Sequence, residues 1–107
     1  MTKFVLFKTK EHFTGFEVSG HSTDNADDLQ GKLVCSAVSS AVIMAAKTIT
    51  EILELKAKTE VSDGYLKIEI MNPDNNSDLV LKSLLFHMNE LRKEYSGRIE
   101  ITNGGLH

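Results

Sequence analysis

Leu33-Val34-Cys35-Ser36-Ala37-Val38-Ser39-Ser40-Ala41-Val42-Ile43-Met44-Ala45-Ala46 decides how the rest of this chain folds. Val34, Val38, Ala41, Ala45, Ile49 and Ile52 recur at spacings of three and four, the period of a helix with one apolar stripe. The pattern predicts a long helix over residues 33–57. Its first half is rich in Ala and Ser, small residues that let another backbone come close. Cys35, the chain's one cysteine, falls at the start of this helix. Unpaired N–H groups and the positive end of the macrodipole stabilise a thiolate in such a place. Cys35, preceded by Gly31-Lys32, is therefore a candidate nucleophile. Beside Val34, Ala37 and Val38 it equally has the setting of a small core residue.

Upstream stands Gly20-His21-Ser22, followed by a polar stretch over residues 22–31 that contains Asp24, Asp27 and Asp28. This reads as a mobile loop, of a length that suits a lid or binding loop better than a tight connection. Gly20 ends a strand and lets His21 leave at an angle closed to bulkier residues. His21 is then the candidate base that takes the Cys35 proton and later protonates a leaving amine. Its plainer reading is a surface histidine at a strand end. His12 in a turn, His87 within a helix and His107 in the tail rank below it. Ser39 stands one turn beyond Cys35 on the same helix side. Its hydroxyl either donates to the thiolate or substrate, or fills a tight helix contact. The backbone N–H groups of Cys35 and Ser36, as donors at a helix start, would stabilise an oxyanion.

Outward from this centre, residues 3–8 and 13–20 read as two strands of a hairpin. Residues 59–62 and 65–71 flank Asp63-Gly64, a two-residue hairpin turn. Residues 72–76 turn around Pro73, and Asn76 or Ser77 caps a second helix. That helix buries Leu81, Leu84, Leu85, Met88, Leu91 and Tyr95, and Gly97 stops it as the C′ residue. Residues 98–102 make a last strand with Ile99 and Ile101 facing in, and residues 103–107 a loose tail. The order is strand, strand, helix, hairpin, helix, strand. It predicts an α/β fold, a two-layer sandwich with a mixed β-sheet and two helices on one face. Val80 and Phe86, with the small-residue face of the first helix, are candidates for a subunit contact.

The length of 107 residues sets one domain, 1–107. A net charge of −3 leaves no basic footprint for nucleic acid. The apolar segment 33–46 is interrupted by Ser36, Ser39 and Ser40, too short and polar for a membrane span. With no signal-peptide pattern after Met1 and no cysteine pair, the expected location is cytoplasmic. The loop aspartates miss the calcium-loop spacing, and no second cysteine or paired histidine supports zinc. Asn103-Gly104-Gly105 lacks the helix and lysine of a phosphate loop. No metal and no cofactor are expected.

Gly20-His21-Ser22 and Leu33-Val34-Cys35-Ser36-Ala37-Val38-Ser39, in this element order, resemble the ribosomal-processing cysteine proteases called Prp. The resemblance implies a small homodimeric α/β protein with a Cys–His dyad. It implies removal of the N-terminal extension of large-subunit ribosomal protein twenty-seven, after aromatic residues and before a small one. Cys35 would be the nucleophile, His21 the general base, Gly20 the residue shaping the histidine's turn, and Ser39 a supporting hydroxyl. The loop 22–31 would be the flap over the substrate groove. The chain departs from the pattern at Lys32, where many members carry an acidic residue; Asp27 and Asp28 are the alternatives for that role. Rival readings are a non-catalytic module that binds a ribosomal protein or assembly intermediate, and a thiol redox sensor. The sensor would need a resolving thiol from elsewhere.

Overall fold

The computed structural model describes residues 1–20 and 27–105. They form β1 (Thr2–Lys8), β2 (Phe13–Ser19), α1 (Leu29–Lys47), β3 (Ala57–Ser62), β4 (Tyr65–Ile70), α2 (Asn75–Glu94) and β5 (Ile99–Gly105). β1 and β2 pair as the expected hairpin, with Phe4 opposite Val18 and Leu6 opposite Phe16. β4 adds antiparallel to β2, and β3 folds back on β4 through Asp63-Gly64. β5 joins the other side, parallel to β1, so the sheet is mixed and its order is β3-β4-β2-β1-β5.

Alternation along the strands builds the core. Phe4, Leu6, Phe16, Val18 and Ile68 share one buried face, with the Phe4 and Phe16 rings stacked at 5.8 Å. Against that face pack Val34, Val38, Ala41, Val42 and Ala45 of α1, and Leu81, Leu84, Met88 and Leu91 of α2. This is the expected α/β two-layer fold.

The helix ends differ from expectation. α1 begins at Leu29, with Asp28 as N-cap accepting the Gly31 N–H at 3.1 Å. The first turn adds little to the apolar stripe, since Leu29 is exposed, so the period shows only from Val34. The expected loop 22–31 thus ends in helix; its residues 22–26, with His21, lie outside the described residues. Regular helix stops at Lys47, and a π-helical turn, Thr48–Ile52, follows. That wider turn keeps Ile49 buried but rotates Ile52 out to 75 % exposure, so Ile52 is not part of the stripe. Glu54, at φ 55, reverses the chain into β3. The continuous segment Leu29–Ile52 has 24 residues and includes an 18-residue window of mean hydropathy 1.6, a length and composition that a membrane span and the core helix of a soluble protein share. The helix is thus longer than the apolar segment 33–46, and its buried side chains belong to the core beneath the sheet.

α2 is capped by Asp74, not by Asn76 or Ser77. Asp74 accepts the Ser77 N–H at 2.8 Å, and the Ser77 hydroxyl takes the Asp74 N–H at 2.9 Å, a reciprocal capping box. Gly97, at φ 81, stands two residues past the C-cap Tyr95 rather than beside it. β5 continues to Gly105, which pairs with Phe7, so residues 103–105 are strand and not tail.

Candidate active site

A groove of about 530 Å³ opens between the N-terminal half of α1 and the β3–β4 hairpin. Cys35, Ser36, Ser39 and Ile43 line its helix side. Val61, Ser62, Gly64 and Leu66 line the hairpin side, and Val18, Val38 and Val42 lie between. Thr2 and Gly20 close one end. Four residues singled out in the sequence, Gly20, Cys35, Ser36 and Ser39, thus face one cavity. Lys32 is exposed and is not among its lining residues.

Each is held there by local structure. Cys35 is the seventh residue of α1 and half-buried, on the boundary between the buried stripe and the groove. Ser39 follows one turn on, exposed along the same side. Gly20 ends β2 at φ 85, and its N–H donates to the Gly64 carbonyl at 3.0 Å. A Cβ there would stand 2.5 Å from the Met1 carbonyl oxygen, so no other residue fits without moving backbone. Gly20 is therefore held between Met1 on one side and the hairpin turn on the other. His21 itself lies outside the described residues.

The depth of Cys35 corrects one expectation. Only the first four N–H groups of a helix lack an intrahelical partner. In α1 these belong to residues 28–31, since the Lys32 N–H already bonds the Asp28 carbonyl at 3.1 Å. The N–H groups of Cys35 and Ser36 lie beyond that turn, inside the helical ladder, and are not oxyanion donors of a helix start. Cys35 also lies past the turn in which the macrodipole acts most strongly.

An arginine that sequence reading passed over enters instead. Arg98 holds Asp28 with both nitrogens, Nη1 to Oδ2 at 2.5 Å and Nη2 to Oδ1 at 3.1 Å. The Asp28 carboxylate keeps the Arg98 guanidinium above its ordinary range, burial opposes this, and the nearby Cys35 charge adds to it. Asp28, offered by the sequence as a stand-in acid, is thus the N-cap of α1 and the seat of an arginine fork. Asp27 is exposed beside it, and Asp24 lies outside the described residues.

The competing histidines are elsewhere. His12 Nδ1 lies 2.7 Å from Asp78 Oδ2, and the Phe13 N–H donates to Asp78 Oδ1 at 2.9 Å, which ties the β1–β2 turn to the first turns of α2. This carboxylate raises the His12 pKa, with burial opposing. His87 borders a second groove of about 320 Å³ between α1 and α2, with Met44 and Leu79. His107 lies outside the described residues.

The sequence profile of the family described as cysteine protease Prp matches residues 1–100. No curated protein sequence matches the chain. Among solved structures, the essential ribosomal processing protease Prp from S. aureus with a covalently linked product peptide superposes with a TM-score of 0.84 at 17 % identity, covering 96 % of this chain and 99 % of that one. The same S. aureus protease with a substrate peptide gives 0.83 at 17 % identity over the same shares. A Streptococcus mutans protein gives 0.80 at 17 % identity, covering 100 % of this chain and 96 % of that one.

Proposed function

The chain belongs to the cysteine protease Prp family, and from that premise we propose that it removes an N-terminal extension from large-subunit ribosomal protein twenty-seven, with Cys35 as nucleophile and His21 as general base. The family makes it a cysteine-type peptidase; the substrate and the dyad are our reading. The observation that carries this reading is Cys35 in the wall of a groove, beside the hydroxyls of Ser36 and Ser39 and across from the β3–β4 hairpin, where Val61 and Leu66 add apolar surface. An extended tail fits such a groove better than a folded surface does.

In the proposed reaction the Cys35 thiolate attacks the scissile carbonyl carbon. The C–N bond then breaks, His21 gives its proton to the departing amine, and a thioester remains. Water, deprotonated by His21, attacks the thioester, and the thiolate is regenerated. Ser39 offers a hydroxyl one turn from the sulfur, and Gly20 sets the course of the chain into His21. No cofactor enters this scheme.

The same reading includes a homodimer in the cytoplasm. Ala41 and Ala45, the small face of α1, are already buried within one chain and are not available for a subunit contact. The contact would instead use Met44, Leu79 and Phe86, which are 66–69 % exposed beside the α1–α2 groove.

The test is cleavage of a synthetic peptide spanning the extension and junction, by wild type and by Cys35→Ala, read by mass. One cut before a small residue, lost in the variant, is the expected result. Tight binding of the peptide without any cut by wild type would overturn it in favour of a binding module.

A further inference from the structure

Asp28 and Arg98 are 70 positions apart in sequence and meet as a two-pronged ion pair, both side chains about three-quarters buried. Arg98 is anchored by its backbone as well. Its N–H donates to the Tyr95 carbonyl at 3.2 Å, and its carbonyl accepts the Thr2 N–H at 3.0 Å. Thr2 is a wall of the groove. The end of α2 and the start of β1 therefore meet the backbone of this one residue, and the start of α1 meets its side chain.

Asp28 caps α1 through the Gly31 N–H, and Cys35 follows it by seven residues. Seven residues are close to two full turns, so cap and thiol lie on the same side of the helix, about 10 Å apart along its axis. An unbalanced carboxylate on that side would oppose negative charge on the sulfur, because about 10 Å is roughly one Debye length and the site is partly shielded from water. The Arg98 guanidinium holds this carboxylate with both nitrogens.

We propose that Arg98 is a positioning residue for the protease reaction: its fork on Asp28 fixes the start of α1 and cancels the cap's charge on the helix side that carries Cys35. The inference rests on the reading of Cys35 as nucleophile. It assigns to the start of β5 a part in catalysis, exerted through Asp28 and without contact to substrate.

The experiment follows alkylation of Cys35 by iodoacetamide at pH 7 in the full chain, with peptide cleavage beside it. Arg98→Met should slow alkylation about fivefold, the scale of one lost charge near a Debye length away. Arg98→Lys, which keeps charge but not the fork, should restore at least half of the lost rate. Asp28→Asn/Arg98→Met should recover most of it, because Asn still caps the helix while both charges are gone. Asp28→Asn alone should alkylate faster than wild type. A folded Arg98→Met that alkylates at the wild-type rate overturns the proposal. So does a double variant as slow as the single one, since the role would then be structural. If Arg98→Met does not fold, slower alkylation of Asp28→Asn overturns it equally. Wild type that fails to cut the peptide would sink the proposed substrate, while the order of alkylation rates would still decide the role of Arg98.

Discussion

The Gly20 N–H donates to the Gly64 carbonyl at 3.0 Å, which joins the strand end leading to His21 and the turn of the β3–β4 hairpin into one rigid end of the groove. Gly20→Ala must place a methyl group 2.5 Å from the Met1 carbonyl oxygen at a φ of +85. The expected cost is roughly 1–3 kcal/mol of unfolding free energy. Urea denaturation measures it, and peptide cleavage should fall further than stability does, because Gly20 lines the groove that holds Cys35.

Val61 is 72 % exposed on the edge strand β3, yet it borders the groove across from Ile43. Its replacement by Lys removes almost no buried area, so stability should change by less than about 0.5 kcal/mol. KM for an apolar peptide should rise severalfold with kcat nearly unchanged. Steady-state kinetics on one peptide checks this, and an unchanged KM would remove the hairpin wall from the substrate path.

The His12–Asp78 pair stabilises the fold on the acid side. The native His12 pKa is raised by the Asp78 hydrogen bond, so the protonated ring is favoured in the folded chain. The contribution is complete below the unfolded value of about 6.5 and is lost as pH rises through the raised native value. The stability gap between wild type and His12→Gln should therefore shrink from pH 5.5 to pH 8.5, measured by denaturant titration at each pH.

On the sheet face away from the helices, the Tyr65 hydroxyl donates to Glu17 Oε2 at 2.7 Å, and its pKa is pushed up to about 12. The neutral phenol is the favoured form, so this bond helps below pH 10 and is lost as pH climbs toward 12. An absorbance titration of tyrosinate should lose its highest step in Tyr65→Phe. In Glu17→Gln that step should move down.

Phe86 is 69 % exposed on α2 and supports no core contact that a charge would break. If the proposed dimer uses this face with Met44 and Leu79, Phe86→Glu should halve the particle mass by light scattering without lowering the unfolding midpoint of the monomer. A wild type that is already monomeric would discard the contact.

The strands and the buried stripe were legible because alternation and helical spacing are local signals: Phe16 and Val18, or Val34 and Val38, declare their faces by position alone. The start of α1 was not. Leu29 is exposed and Gly31 is a poor helix former, so Asp28 reads as loop by sequence, and only its bond to the Gly31 N–H marks it as a cap. The end of β5 was missed because Asn103-Gly104-Gly105 has no strand propensity and is held by pairing with β1. At the site, Gly20, Cys35, Ser36 and Ser39 were readable from one stretch. The hairpin wall and Arg98 were not, because chain topology alone brings them to α1. The oxyanion assignment failed with the helix start, by four residues.

The position of β1 between β2 and β5 sets an order of assembly. Phe4-Val5-Leu6-Phe7 pairs with β2 through a short hairpin, whereas β5, which covers its other edge, follows only after both helices. During synthesis that edge is an open template for pairing with neighbouring chains, the usual starting point of aggregation. A chain truncated before residue 98 would keep this edge bare permanently and would also lack the arginine that grips Asp28. Connectivity thereby ties closure of the sheet to the same segment that clasps the helix start: a copy without it has a bare edge and an unclasped α1.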